Sequence, residues 1–377
     1  MKVIVSSART SAVPEFGGSA WVRLNYVLGL RAMGIDAYWV DRIGAQDPFK
    51  ERRTLDYLMK RFREMASEFG IADRYCVVYD EGEQYFGLSR AELESLVGQA
   101  DLLINFNGYL PEGDVLAGVS RRVCLDVDPG FTHIWALQGE LHLDRHQFFF
   151  TVGLNVGGDG FEIPGQGVEW RPIHTPVALD HWPALIDERC ECFSTVAEWW
   201  GSQDAVYEGV RYGNKREQLL QLIDLPEQTT QEIELALLTG QWDFKDVGDL
   251  SEKGWTLVNP YRVAGNAHSF AEFVRYSRAE FSVAKSGYVK SKCGWFSDRT
   301  ADYLASGKPC LVESTGIEPH FPTGEGLLTF TNADEARDGI EEINRNYLRH
   351  CRAARELAET YLDSEKVLGG MLAQVGL

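Results

Sequence analysis

Residues 279–313, AEFSVAKSGYVKSKCGWFSDRTADYLASGKPCLVE, decide the fold because a strand, a polar loop, a helix and another strand follow one another within them. Phe281 and Val283 alternate with other residues ahead of the loop, which predicts a short buried strand. Helical spacing extends over residues 296–305, where the apolar side chains recur on one face. A glycine and a proline then end the helix, and residues 309–312 are predicted to form the next strand.

A strand, a loop and the N-terminus of a helix in this order are typical of an anion site. Free backbone N–H groups and the helix dipole both favour phosphate there. Lys285, Ser297 and Arg299 supply side chains that suit such a site. The same spacing also fits an ordinary α/β unit in which Lys285 and Arg299 are surface charges. The spacing alone leaves both interpretations open.

The first half of the chain contains several strands that end in polar or glycine-rich turns. After a strand at residues 75–79, three such strands are predicted at residues 102–106, 123–127 and 148–152. They predict a parallel sheet with a ligand crevice at its carboxyl ends.

Acid/base residues gather at the end of one of these strands. Asp126, Asp128 and His133 provide carboxylate and imidazole groups that suit proton transfer from a hydroxyl. Asp128 equally fits the N-cap of a helix that begins near Thr132, a frequent use of aspartate. Both interpretations of Asp128 are kept.

Local patterns predict further helices. Ser89 followed by Glu92 indicates a capping box. Residues 231–238 are interpreted as a helical run, and Ser269 as the N-cap of a helix that ends near residue 277. The charged stretch 334–361 is predicted to be a single long helix.

The opening segment resembles the donor-binding segment of glycosyltransferases with two Rossmann domains, the GT-B fold. The resemblance rests on Gly294-Trp295-Phe296 and on the run DYLASGKP from Asp302 to Pro309. In that family an acidic residue at the position of Asp302 holds the ribose of the nucleotide. Retaining members carry a glutamate eight residues earlier, where this chain has Gly294. This departure leaves open the stereochemical outcome, and whether catalysis is altered or lost.

The resemblance also implies a donor-binding set drawn from loops on both sides of a cleft. Its members are Gly17, Gly18, Lys285, Ser297, Asp298, Arg299, Thr300, Asp302, Thr315 and Gly316.

The implied architecture is α/β, with two Rossmann-like parallel-sheet domains that face each other across a cleft. The first domain is expected at 1–172 and would bind the acceptor. The second, at 173–350, would bind the donor nucleotide. The C-terminal helices, 351–377, are expected to cross back to the first domain.

The composition limits the range of partners. The chain has 377 residues and a formal net charge of −19, so it is long enough for two domains and lacks the basic footprint that nucleic acids require. No stretch approaches the length of apolar sequence that an integral membrane segment needs. The seven cysteines are scattered without a CxxC pair, which argues against a disulfide framework or a zinc site. Reduced thiols and a first strand in place of a signal peptide indicate a cytoplasmic protein.

The interpretation adopted is a metal-independent glycosyltransferase of the hexosyltransferase type. A sugar would pass from a nucleotide-diphosphate sugar to a hydroxyl group of a small-molecule or glycan acceptor, with no other cofactor. Lys285 and Arg299 would neutralise the leaving group. Asp128 or His133 would be the base if the reaction inverts. The alternatives are a nucleotide-sugar 2-epimerase of the same fold and a non-catalytic sugar-nucleotide binding partner of another transferase; a homodimer is left open.

Overall fold

A computed structural model describes the chain except for residues 9, 48–52, 140 and 202–203. In the described part, two large sheets and one short hairpin contain the strands. The first sheet has the order β4-β3-β2-β1-β5-β6-β7-β8. Its strands are β1 (Lys2–Ser6), β2 (Asp36–Ile43), β3 (Tyr75–Tyr79), β4 (Gln84–Gly87), β5 (Leu102–Phe106), β6 (Arg122–Asp126), β7 (Phe148–Thr151) and β8 (Trp170–Pro172).

The second sheet has the order β13-β12-β9-β14-β15-β16. Its strands are β9 (Phe193–Glu198), β12 (Ile233–Leu238), β13 (Thr256–Val258), β14 (Ala279–Ser282), β15 (Cys310–Glu313) and β16 (Leu327–Phe330); β10 (Ala205–Tyr207) and β11 (Val210–Tyr212) form the hairpin.

Both sheets follow the Rossmann strand order. Their strands pair in parallel, except that β4 pairs antiparallel with β3. The order of connection reverses between β1 and β5 in the first sheet and between β9 and β14 in the second. Ligands bind in the crevice at such reversal points in open α/β sheets. The predicted fold class, two parallel-sheet bodies, is confirmed.

Helices cover the faces of the two sheets. They are α1 (Gly17–Ala32), α2 (Leu55–Glu68), α3 (Arg90–Val97), α4 (Phe131–Leu137), α5 (Lys215–Gln221), α6 (Phe244–Glu252), α7 (Pro260–Val263), α8 (Ala267–Tyr276), α9 (Ser286–Ser291), α10 (Asp298–Ala305), α11 (Ala333–Arg345), α12 (Tyr347–Leu357) and α13 (Ser364–Gln374). None of these helices is long and apolar enough to cross a membrane.

Helix α1 lies between the two bodies. Its Trp21 indole donates a hydrogen bond of 2.8 Å to the carbonyl of Ala267 in α8. On another face, Gly29 approaches Ser364 and Leu368 of α13 so closely that a Cβ would lie 2.5 Å from the Cβ of Ser364. The last helix therefore returns to the first body, as expected.

A continuous hydrophobic core spans both bodies. It includes Val5 under the first sheet, Trp182 in the connection, Phe270 in α8 and Leu368 in α13. A second cluster lies on the other face of the second sheet. The two bodies are thus joined by buried apolar contacts in addition to the connecting chain.

The helix predicted at 231–238 is wrong, because Ile233–Leu238 is the strand β12. This strand lies between β9 and β13, and four of its six residues are buried. A strand covered on both faces loses the alternation of polar and apolar residues, so its sequence looks like a buried helix segment.

Other boundaries also differ from the predictions. The loop after β14 contains the helix α9, and the helix expected from residue 296 begins at Asp298. Asn266, not Ser269, is the N-cap of α8, while Ser269 is the third helical residue of the capping box. The single long helix of the C-terminal region is interrupted at Asn346, whose backbone leaves the helical region. The capping box of Ser89 and Glu92 is confirmed.

We predict that Gly29→Ala destabilises the protein. The added methyl group would lie 2.5 Å from Ser364 Cβ, and such overpacking costs about 1–3 kcal/mol. Gly248→Ala in the exposed middle of α6 is the matched control, because nothing lies within 4 Å of its Cβ position. That control should gain about 0.5–1 kcal/mol from helix propensity. Urea unfolding measures both free energies, and a gain of stability in Gly29→Ala would contradict the close packing of α1 on α13.

Candidate functional site

The crevice between the two bodies contains two adjoining pockets. The apolar pocket, of about 170 Å³, lies between the N-terminus of α1 and the loops that follow β9 and β12. The polar pocket, of about 370 Å³, extends from there towards the loops that follow β6 and β14. Gly18, Glu198 and Asp298 line both pockets. The pockets therefore lie at the reversal points of the two sheets, where the Rossmann order places ligands.

Gly17 and Gly18 line the apolar pocket, and their missing side chains also make room for α8. A Cβ on Gly17 would lie 2.1 Å from the carbonyl oxygen of Asn266, and one on Gly18 would lie 3.1 Å from the ring of Phe270. The backbone N–H of Gly17 donates to the carbonyl of Ala264 at 3.0 Å. The glycines thus allow the two bodies to approach at the edge of the pocket.

Lys215 is a cation of the polar pocket that the sequence analysis missed. It is the first residue of α5 and lines the pocket beside Lys285. Burial, together with the nearby charges of Arg299 and Lys285, lowers the pKa of Lys215 to about 7. Its nitrogen lies 6.0 Å from the centre of the Trp295 ring, and no described residue accepts a hydrogen bond from it. A bound anion would relieve this accumulation of positive charge.

Lys285 pairs with Asp128 across the cleft. The two side chains are 2.6 Å apart, between the Lys285 nitrogen and Asp128 Oδ1. The Tyr288 hydroxyl donates to the same oxygen at 2.5 Å. Burial raises the pKa of Asp128, but Lys285 and Tyr288 outweigh burial and hold the pKa below its usual value. Asp128 therefore does not cap α4, whose N-cap is Gly130.

Arg299 lines the apolar pocket, but most of its hydrogen-bond donors are bound by other residues of the protein. Its guanidinium donates to Glu280 at 2.7 Å, to the carbonyl of Val196 at 2.7 Å and to Ser282 at 2.5 Å. Glu280 is completely buried, so loss of Arg299 would leave an uncompensated charge in the core. Arg299 thus contributes both to the positive field of the cleft and to the stability of the second body.

Two predicted site residues lie away from the pockets. His133 is completely buried against Phe161 and Trp170, its Nδ1 accepts from the Gly130 N–H, and burial lowers its pKa to about 4. The structure does not bring this imidazole to the cleft. Asp302 is 1% exposed and accepts a 3.1 Å hydrogen bond from Asn25 of α1, which makes it a contact between the bodies.

The other members of the predicted donor set divide into two groups. Asp298 lines both pockets. Ser297 and Thr300 instead face a void of about 10 Å³ beneath the cleft. The Thr315 hydroxyl donates to the carbonyl of Trp295 at 2.7 Å, and Gly316 lies against Asn155 of the first body.

The segment around Gly294 is a contact between the bodies. Asn155 N–H donates to Cys293 at 3.0 Å, and its side-chain amide donates to the carbonyls of Lys292 and Gly316 at 2.8 and 2.9 Å. Gly294 has a φ of +69°, and a Cβ there would lie 2.8 Å from the backbone nitrogen of Asn155. A glutamate at this position would therefore clash with Asn155.

The sequence analysis also missed Arg23, Glu198 and Tyr288, which line the polar pocket. The order of strands and helices could have indicated Glu198 and also Lys215. Glu198 ends the first strand of the second sheet and Lys215 opens the helix that follows, so both occupy the region that the glycine loop occupies after β1. Arg23 and Tyr288 sit inside helices and had no comparable signal.

Potential metal ligands cluster elsewhere in the described part of the chain. Cys192, Glu232 and Glu234 bring ligand atoms within 4.8 Å of one another. They lie at the amino ends of β9 and β12, at the opposite edge of the sheet from the cleft.

A family model matches part of the second half of the chain. Residues 222–370 match a family model described as glycosyl transferase-like. No curated protein sequence matches the chain significantly.

Solved structures match over the whole chain. An alpha-glucosyltransferase in complex with UDP and a 13-mer DNA containing a central A:G mismatch aligns over 100% of both chains, with a TM-score of 0.63 and 12% identity. HepE of Anabaena, in complex with UDP and glucose, aligns over 100% of both with a TM-score of 0.57 and 12% identity. Sucrose-phosphate synthase from Thermosynechococcus elongatus covers 100% of this chain and 99% of its own, with a TM-score of 0.56 and 13% identity. These likenesses establish the GT-B fold, and with the family model they confirm the resemblance seen in the sequence.

We predict that Gly294→Ala is strongly destabilising. It adds a left-handed backbone penalty of about 1–2 kcal/mol to a clash with Asn155 that costs about 1–3 kcal/mol. Gly167→Ala is the matched control, since its φ is +74° and nothing lies within 4 Å of its Cβ position. Thermal unfolding of both variants isolates the cost of the clash, and equal losses would contradict a close contact between the bodies at Gly294.

Proposed function

We propose that this glycosyl transferase-like protein of the GT-B fold transfers a hexose from a nucleotide-diphosphate sugar to a hydroxyl group of an acceptor. The observation that carries the proposal is the group of cations Lys215, Lys285 and Arg299 at the crevice, two of which depress the pKa of the third. A site that concentrates positive charge in this way suits a diphosphate.

The diphosphate would occupy the polar pocket. Transfer of the sugar leaves negative charge on the departing nucleotide, and fixed cations in a partly desolvated site stabilise that charge. Lys215 and Lys285 are placed for direct contact, while Arg299 adds to the field from below. These side chains would perform the neutralisation that other transferases obtain from a divalent ion, so we propose a metal-independent reaction with the nucleotide sugar as the co-substrate.

The nucleoside would occupy the apolar pocket. Pro260, Tyr261 and the backbone of Gly17 and Gly18 form apolar walls of a size that suits a base. Glu198 and Asp298 line the junction of the two pockets, where carboxylates can accept hydrogen bonds from ribose hydroxyls. Asp298 would thus take the role that the resemblance implies for Asp302. The UDP in two of the similar structures supports a uridine nucleotide.

The acceptor would enter from the first body, where Arg23 and Asn107 line the polar pocket. A small molecule or a glycan offers the hydroxyl groups that such side chains bind. One similar structure was solved with DNA, but the net charge of −19 favours an acceptor other than nucleic acid for this chain. Asp128 remains the proposed base if the reaction inverts, because His133 lies outside the cleft.

We predict that UDP binding takes up protons at pH 8. Free Lys215 has a pKa of about 7 and is mostly neutral at this pH, whereas a diphosphate beside it would raise the pKa and protonate it. Uptake should approach one proton per UDP at pH 8 and disappear near pH 6, where Lys215 is already charged. Calorimetry in buffers of different ionisation enthalpy measures this proton count.

Lys215→Met is the control for the proton count. It should abolish the uptake at pH 8 and weaken UDP binding at pH 6 at least about ten-fold, the equivalent of about 1.4 kcal/mol. Unchanged binding and unchanged uptake in this variant would overturn the placement of the diphosphate.

A second candidate is a non-catalytic nucleotide-sugar binding partner, favoured because Gly294 has a structural role where retaining members of the resembled family carry a glutamate. We predict that the purified protein releases UDP slowly from UDP-glucose in the absence of an acceptor, and that Lys285→Met reduces this rate at least about ten-fold by removing leaving-group stabilisation. Chromatography of the products measures the release. Binding without any release would favour the non-catalytic role, and a sugar epimer formed without acceptor would favour the 2-epimerase.

A further inference from the structure

The pair formed by Lys285 and Asp128 connects the two sides of the cleft. Asp128 belongs to the loop after β6 in the first body, and Lys285 directly precedes α9 in the second. Their 2.6 Å contact lies within the polar pocket, which both residues line. An anion of the protein thus contacts a cation that the proposed function assigns to the diphosphate.

The surroundings make this contact a strong one. The exposed fractions of the two side chains are 15% for Lys285 and 23% for Asp128. The Lys285 nitrogen lies 5.0 Å from the centre of the Phe131 ring and 5.1 Å from that of Tyr288, so aromatic faces replace water on two sides. Partly buried pairs of this kind are screened less by water and salt than surface pairs.

The carboxylate is held in place from its own side of the cleft as well. The backbone N–H of Asp128 donates to Asp126 Oδ1 at 2.9 Å, and Asp126 in turn accepts from the Thr151 hydroxyl at 2.7 Å. From the second body, Tyr288 donates to Asp128 Oδ1, and its ring stacks on Trp295 with 4.5 Å between centroids. Residues of both bodies therefore hold the Asp128 carboxylate in a fixed position.

A diphosphate and the Asp128 carboxylate are both anions, and they meet the same ammonium group. We propose that Asp128 is an internal competitor of the donor: it occupies Lys285 in the unliganded protein, and the diphosphate of the nucleotide sugar must displace it. This inference rests on the proposed function. It makes Asp128 a specificity-determining residue, because a ligand displaces Asp128 only if it interacts with Lys285 more strongly than a single carboxylate does.

The competition predicts that a mutation in the cleft increases the affinity for UDP. Asp128→Asn removes the competing charge and keeps the size of the side chain, so UDP should bind about ten-fold more tightly than to the unmodified protein. Asp128→Glu keeps the charge and should show no such gain. Isothermal titration calorimetry measures the affinities, and Asp128→Ser provides a second uncharged variant if the asparagine variant does not fold.

A double-mutant cycle identifies Lys285 as the shared partner. Lys285→Met should weaken UDP binding, and Asp128→Asn should give no gain when it is combined with Lys285→Met. Where the unmodified protein binds UDP, weaker or unchanged binding in Asp128→Asn alone would overturn the proposal, and so would a gain that persists without Lys285.

Inorganic pyrophosphate separates this inference from the proposed function. Competition for Lys285 requires that Asp128→Asn also binds pyrophosphate more tightly. If pyrophosphate shows the gain while no variant binds UDP, then the competition stands and the nucleotide-sugar function fails. If UDP binds to the unmodified protein and neither ligand shows the gain, the function stands and the competition is overturned.

Discussion

The close approach of helix α1 to the second body is the constraint on which the cleft depends. It requires a residue without a side chain at Gly17, because a Cβ there would lie 2.1 Å from a carbonyl oxygen of the neighbouring body. The same helix then places Trp21 and Asn25 in hydrogen bonds with the second body and directs Arg23 into the polar pocket. The spacing of the two Rossmann bodies, and with it the width of the cleft, follows from this contact.

Within that geometry the cleft has charges of both signs in close proximity. Its cations are not equivalent, since Arg299 is bound to a buried carboxylate, Lys285 is paired across the cleft, and Lys215 has a lowered pKa. A buried cation without a nearby anion destabilises the unliganded protein, and an anion that binds beside it removes this penalty. The positive charges of the cleft therefore have two roles: they stabilise the second body and they attract a ligand.

Much of the fold could be predicted from the sequence, because parallel strands with polar turns at their carboxyl ends leave a clear pattern. Strand β12 could not, since a central strand buried on both faces has no alternation to detect. In the site, Lys285 was proposed from its position after a strand and Asp298 from the family resemblance, and both line the polar pocket. Lys215 was missed because its significance depends on the strand order of the second sheet. Asp302 matched a family pattern, yet its contact with α1 is a tertiary feature that local sequence does not contain.

The hydrophobic core that spans both bodies has a consequence for the synthesis of the chain. Domains usually fold as units while the polypeptide is being made, beginning with the N-terminal one. Here α1 approaches Phe270 at Gly18 and Leu368 at Gly29, and both partners leave the ribosome much later. Apolar surface of α1 therefore stays uncovered until α13 has been translated, so the first body reaches its final packing only together with the second.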